Sequence, residues 1–552
     1  MKTLFYKLHL EKHGMGILLL AWLFIIYSPV LMAPKIVNPD AFLILPLLQQ
    51  YNNLFDYFTA LIQFNTYDVQ PIRDLTLYVD LFIYEHTQVN TAIFQNIIYW
   101  WLSIIVIYKI ISEIRPDLSQ FYKRGIVALF AVYPLFSATI NYGIARKHIL
   151  AFLFILLATY FFLQFIRNDF ENKSASRMTL FYFLSIFSQP ITILWPVWIN
   201  IYLFLKSRQD LRIQKKLSVI YLLCLICLAS NYFYYKLSPV FKLSFGSKTG
   251  NAFNFPDKTL GLGHYFYQLI LPYWPATSYR LGHWSVLLGL VFVVILFSIS
   301  YKFSIHRKWL LCWGSFMLFP LFVVLVQPHF LSDTYLLTPA FALLILLLGL
   351  NCRVFDLNKY STVFIFTCIL ITWSWLTYSD SQLWTDQIAF HRERDFLRRP
   401  NCDSAIIYGS KNLAEKGFFP LEVQLFMENE DCTNLSFSNP GQLNRIIVMN
   451  THILYHDKNL SLESKIDRLK EFTGVSLYAK LVSASISAQL MDKEKVVEKI
   501  NELDLISKKV QWPQYYDQRI IPLHNYCVKK KMNNCLKLTR HYNKEVNSPF
   551  FN

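Results

Sequence analysis

The chain has 552 residues, of which 54% are hydrophobic, 17% aromatic and only 16% charged, with a formal net charge of +17. This balance excludes an ordinary soluble multidomain protein and reads as a polytopic, all-α membrane protein. Its basic residues are scattered between apolar segments and not gathered on one soluble face, which argues against a nucleic-acid partner and assigns the charge to cytoplasmic loops.

The N-terminus, MKTLFYKLHLEKHGMGILLLAWLFIIYSPVLMAP, has the outline of a signal peptide. Its apolar core of about 20 residues is long enough to span a bilayer. No small-residue cleavage site follows, so residues 14–33 are expected as a retained first transmembrane helix. Further apolar runs of helical length lie at 91–112, 124–141, 147–166, 217–236, 282–300, 309–327, 335–351 and 360–378. Between Met178 and Leu205 a longer run is interrupted at Ser188-Gln189-Pro190 and again at Pro196. Basic loops flank it on both sides, which makes it a hairpin of two short helices with its tip near Gln189. The total is about eleven crossings. Lys2, Lys7, Lys12 and the basic loops at 115–124, 302–308 and 353–359 then share the cytoplasmic side.

Four segments face outward under this topology: the long loop 34–90 with its interfacial helices, the turn 141–148, the stretch from Leu237, and everything beyond Tyr378. HYFYQLILPYWP, residues 264–275, is too short to span and holds two prolines. It is expected as a re-entrant or interfacial segment lining a cavity. Residues 1–378 thus form a transmembrane domain and 379–552 a soluble helical one. In that tail Leu477, Leu481, Ala484 and Ala488, followed by Val496, Val497, Ile500 and Leu503, have helical spacing on neighbouring segments. Paired, repeat-like helices are expected, without a clean internal period. The tail also holds Cys402, Cys432, Cys527 and Cys535. In an oxidising exterior these form two disulfides, with three possible pairings. A zinc site is the alternative, although no pair has CxxC spacing.

The outer loop carries Asp40, Asp56, Asp68, Arg73, Asp74 and Asp80. A carboxylate at Asp40, just beyond the first span, is placed to take a proton from an acceptor hydroxyl. Solvated loop acids and helix caps are the plainer account of the same residues. Arg146, Lys147 and His148 open an apolar helix, where free N–H groups and the helix dipole already favour an anion. Guanidinium and ammonium groups there fit a phosphate or diphosphate clamp, with snorkelling to lipid headgroups as the alternative. The chain has neither a GxxxxGK[ST] loop nor a GxGxxG turn after a strand, which points to a lipid-carried rather than a nucleotide donor.

The segment FAVYPLFSATINYGIARKHIL resembles the FxVHPxHxEAVxWISGRKDxL segment of TMTC-like membrane glycosyltransferases of the GT-C fold, which carry C-terminal tetratricopeptide repeats. VQPIRDLTLYVDLFIYEHTQVNTAIFQNIIYWWL is similar to that family's YRPLxxLSFALDYxLFGxxPxxxHLTNLLLHxLN. SQPITILWPVW, LILPYWPATSY and LSDTYLLTPAFALLILL are similar to SKPxAVTLPVV, LLFPxPLSxDY and ADRYLYLPSLGLALLL, and the stretch from Trp384 to Gly417 resembles the family's approach to its repeats.

The resemblance implies a GT-C arrangement of the spans and an inverting transferase. Such an enzyme moves a sugar from a polyprenyl-phosphate lipid to a protein or glycan hydroxyl at the outer leaflet. Asp40 falls on the catalytic acid, Arg146 and Lys147 on the family's Arg-Lys, and Asp333 on the Asp of ADRY. Tyr133, Phe136 and Ala138 replace two histidines and a glutamate of the family, and Gln70 and Thr334 replace two arginines. His148, Arg73 and Arg280 complete the expected phosphate site. Neither a cofactor nor a metal is expected, since cations suffice for a phosphate leaving group. Were a divalent ion required, Asp40 with Asp74, Asp80 or Asp333 are its first ligands. The expected setting is a bacterial inner membrane, with the N-terminus cytoplasmic and the tail periplasmic, binding the acceptor or a protein partner. A second expectation, from the lost polar residues, is a catalytically degenerate scaffold holding a partner of a surface-assembly machine.

Overall fold

The computed structural model describes residues 2–33, 54–62, 70–87, 91–168, 171–206, 265–269, 307–326, 333–349, 359–390, 461–473 and 477–489, with single positions between 225 and 298 and between 392 and 529. Every regular element among these described residues is helical. The chain divides into two compact units, Met1–Pro34 with Tyr51–Thr385, and Lys35–Gln50 with Asp386–Asn552.

The first unit begins with α1 (Lys2–Ile26), α2 (Ser28–Leu31), α3 (Leu54–Ile62) and α4 (Pro71–Thr87). There follow α5 (Ala92–Ile114), α6 (Gln120–Ala131), α7 (Ser137–Asn141), α8 (Arg146–Arg167), α9 (Asn172–Ser188) and α10 (Trp195–Lys206). Its last described helices are α11 (Arg307–Val326), α12 (Leu337–Leu348) and α13 (Lys359–Leu383). Four helical stretches are long and apolar enough to cross a membrane: Ala92–Ile114, Gln120–Asn141, Arg146–Arg167 and Ser361–Leu383. Shorter apolar helices lie at Gly14–Ile26, Pro190–Leu205 and Leu337–Leu348. This agrees with membrane association. The spans expected at 217–236 and 282–300 lie outside the continuously described residues.

The packing follows from residue spacing. Along α5 the buried positions Ile93, Ile97, Trp100, Ile104, Ile107 and Ile111 recur every three or four residues, one stripe of the helix. Trp100 is fully buried, with Phe136, Phe130 and Phe152 rings at 4.9, 6.0 and 6.0 Å. It thereby joins α5 to α6 and α8. Trp198 plays the same part between α10 and α11, with its indole N–H donated to the Cys312 carbonyl at 3.0 Å and the Phe316 ring at 4.8 Å.

Pro134 interrupts the second long span, as proline must when it has no N–H to give. The chain runs α6, a single 3₁₀ turn at Pro134–Phe136, then α7. Backbone freed in an apolar bundle needs replacement partners, and side chains from other helices supply them. Trp100 donates to the Ala131 carbonyl at 3.0 Å, Thr377 to that of Val132 at 3.0 Å, and Asn96 to that of Ile140 at 3.0 Å. The expected hairpin at 178–205 is also broken where its sequence breaks: α9 stops at Ser188 and α10 starts at Trp195.

In the second unit α14 (Leu462–Thr473) packs against α15 (Leu477–Gln489), which carries the expected helical positions from Leu477 to Ala488; the second expected segment, Val496 to Leu503, lies outside the described residues. Ala484 is buried there, flanked by buried Val482 and Ile486. Ile388, Ala405, Tyr408 and Val423 form a further buried cluster.

Candidate functional site

Segments expected on one side of a membrane do meet at one end of the first unit. Gln70, just before α4, donates from Nε2 to the side-chain Oε1 of Gln189, between α9 and α10, at 2.9 Å. Arg146 at the start of α8 lies against Asp80 of α4. His148 meets the Tyr335 ring edge-on at 4.9 Å, and the Tyr133 hydroxyl donates to the Leu269 carbonyl at 2.7 Å.

Among these segments lie two buried ion pairs. Arg146 is fully buried, with Nη1 2.5 Å from Asp80 Oδ2, a pair held by charge rather than by a well-aligned hydrogen bond. Its Nε donates to Asn96 Oδ1 at 3.0 Å and its Nη2 to the Ala92 carbonyl at 2.8 Å. Asp80 Oδ1 accepts from Thr91 at 2.5 Å and Gln95 at 2.7 Å. Arg73 and Asp74, both buried, pair at 2.6 Å, and Tyr57 donates to Asp74 Oδ2 at 2.7 Å. Two cations and two carboxylates cancel, as burial in an apolar bundle demands.

This arrangement bears directly on the sequence expectations. The guanidinium of Arg146 is committed to protein partners in this structure rather than standing open at an interface, and the Arg73 charge is matched by Asp74. Asp74 and Asp80 are likewise engaged as counter-ions. Lys147 is half-buried on the first turn of α8, and its positive charge acts on His148. Asp333 opens a 3₁₀ turn, Asp333–Leu336, whose residue Tyr335 touches His148. Asp40 and Arg280 lie outside the described residues, as do Cys402, Cys432 and Cys535. Cys527 is buried and disulfide-bonded. Among the described residues no group of three or more metal-ligating side chains is gathered.

Tyr133 and Phe136 are 8% and 0% exposed and pack on each other, on Trp373 and on Trp100. Buried aromatic rings thus stand at two positions where the sequence resemblance would place histidines. A cavity of about 10 Å³, enough for one water, lies elsewhere, lined by Thr192, Thr338, Trp195, Trp198 and Phe316 among others.

Among the described residues, five buried side-chain atoms have no hydrogen-bond partner and no ionic one: Gln70 Oε1, Thr139 Oγ1, His148 Nδ1, and Nε2 and Oε1 of Gln268. Leaving such a group unsatisfied costs about 1–3 kcal/mol, so their concentration in this region needs a reason.

Sequence reasoning overlooked Asn96, whose amide bonds both Arg146 and the Ile140 carbonyl. A polar residue inside the apolar run AIFQNIIYWWL was the available signal. It also passed over Asp380, buried near the end of α13, which accepts from Ser137 at 2.7 Å and Trp384 at 3.4 Å. Nothing in one sequence brings residues 137 and 380 together. Comparison with models of known families, with curated proteins and with solved structures gives no match.

Proposed function

We propose that the chain is an integral membrane glycosyltransferase that takes a sugar from a polyprenyl-phosphate lipid at the outer face and passes it to a protein or glycan hydroxyl. Under this reading about eleven spans adopt a GT-C arrangement, and 379–552 is a periplasmic repeat-like domain that engages the acceptor or a partner. The observation that carries the proposal is the buried polar region of an otherwise apolar bundle, where unsatisfied side chains stand on the same elements as two buried ion pairs or on elements packed against them.

In the reaction the acceptor oxygen bonds to the anomeric carbon, the carbon–oxygen bond to phosphate breaks, and its electron pair leaves with the phosphate. Asp40 takes the acceptor proton. Lys147 and the N-terminus of α8, with Arg280, stabilise the departing charge. Arg73 and Arg146, each held by a carboxylate, fix α4, α5 and α8 around that point.

The second reading is a non-catalytic scaffold, favoured by the burial of Phe136 and Tyr133 where the resembled enzymes are polar. Purified protein in liposomes containing a polyprenyl-phosphate hexose and an acceptor glycan separates the two. The transferase releases polyprenyl phosphate and Asp40→Asn abolishes release; release from neither protein leaves the scaffold.

A further inference from the structure

The unsatisfied atoms stand on separate segments that converge. Gln70, Thr139, His148 and Gln268 are 4%, 0%, 6% and 0% exposed. Gln70 lies one turn before Arg73, whose charge is felt at His148, and α4 packs against α8. Thr139 is on α7, which packs against both α8 and the Asp333–Leu336 turn. That turn supplies Tyr335 to the edge of His148. Gln268 precedes Leu269, whose carbonyl holds the Tyr133 hydroxyl beside the same 3₁₀ turn that packs on Asp333–Leu336.

The chemistry of this set is specific. Two amides, a hydroxyl and an imidazole offer both donors and acceptors and carry no fixed charge. The nearby charges cancel in pairs. A ring bearing several hydroxyls, each both donor and acceptor, satisfies such a set. We propose that Gln70, Thr139, His148 and Gln268 form a pocket for an uncharged polyhydroxyl group, a neutral sugar ring, with any attached phosphate held outside it on the Lys147 side. The inference rests on the transferase reading only for the lipid that carries the sugar.

The test uses the full-length protein in nanodiscs and four probes: a short polyprenyl phosphate, the same lipid bearing a neutral hexose, the same lipid bearing a hexuronic acid, and free methyl hexoside. The hexose lipid should bind about tenfold more tightly than the bare lipid, the worth of one satisfied orphan group, and the hexuronic acid lipid no better than the bare one. Gln268→Met and Thr139→Val should each erase that gain, leave bare-lipid affinity unchanged, and raise the unfolding temperature of the ligand-free protein. Equal binding of bare and hexose lipids with no saturation by methyl hexoside, equal weakening of both lipids by the variants, or a fall in unfolding temperature overturns the pocket. Preference for the hexose lipid without its consumption supports the pocket and removes the transferase. Saturation by methyl hexoside without lipid preference supports it with the sugar arriving from the acceptor.

Discussion

Buried among apolar helices, the Arg146 guanidinium is tolerable because Asp80 matches its charge while Asn96 and the Ala92 carbonyl take further N–H groups. Removing one partner strands the other. Arg146→Met should therefore cost about 3–5 kcal/mol of stability in detergent-solubilised protein, and adding Asp80→Leu should recover most of it. A single-variant loss below about 1 kcal/mol would mean that the pair contributes little to the fold. At Glu422 the balance is electrostatic in a different setting. Partial burial pushes its carboxyl up, but hydrogen bonds from Arg392 at 3.1 Å and Tyr408 at 2.9 Å outweigh that and hold it below the ordinary value. A carboxylate depressed on folding contributes stability above its unfolded pKa and loses it as pH falls through the folded one. Acid unfolding of Glu422→Gln should show a flatter dependence on pH than the parent protein, and identical acid limbs would refute the assignment.

Helices in this protein are fixed to one another by aromatic N–H donors that find carbonyls on neighbouring elements. Trp22 reaches Ser374 at 3.1 Å and Trp101 the Gly16 carbonyl at 2.8 Å, which ties α1 to α13 and α5. At the end of α12 the geometry is tighter. Gly349 has φ of −79°, a conformation open to any residue, so its requirement for glycine is steric. A Cβ there would overlap the Trp309 indole, which is itself held by donation to the Ile345 carbonyl at 3.1 Å. Gly349→Ala should cost about 1–3 kcal/mol through overpacking, and Trp309→Phe in the same background should return part of it. Thermal unfolding of the pair settles the point, since unchanged stability in Gly349→Ala would show that the indole moves without penalty.

At the scale of the whole molecule the topology is the assumption to test. Cysteines introduced at Gln88 and Asn172 should be labelled from opposite sides of the membrane, Gln88 from outside and Asn172 from inside. Labelling from the same side breaks the alternation of spans, and the reverse orientation puts the polar end in the cytoplasm. Much of the helical plan was legible in the sequence. Residues 91–112 and 147–166 became Ala92–Ile114 and Arg146–Arg167, and the break at Gln189 fell where Pro190 removes a donor, whereas the expected span 124–141 proved to be interrupted at Pro134. Apolar length and proline act locally, so one chain read in order suffices for them. The state of the charges was another matter. The sequence marks Arg146 as a cation at a helix start, but Asp80 lies 66 positions away, and only the approach of α4 to α8 turns a candidate ligand into half of an ion pair. The same holds for Gln70, Thr139, His148 and Gln268, of which the sequence marked His148 and Gln70 for other reasons and the other two not at all, and whose shared want of partners exists only once the helices have closed around them. Hydrophobic pattern is written residue by residue, whereas the pairing of buried charge and the places where pairing fails depend on contacts between distant segments, which tertiary packing alone decides.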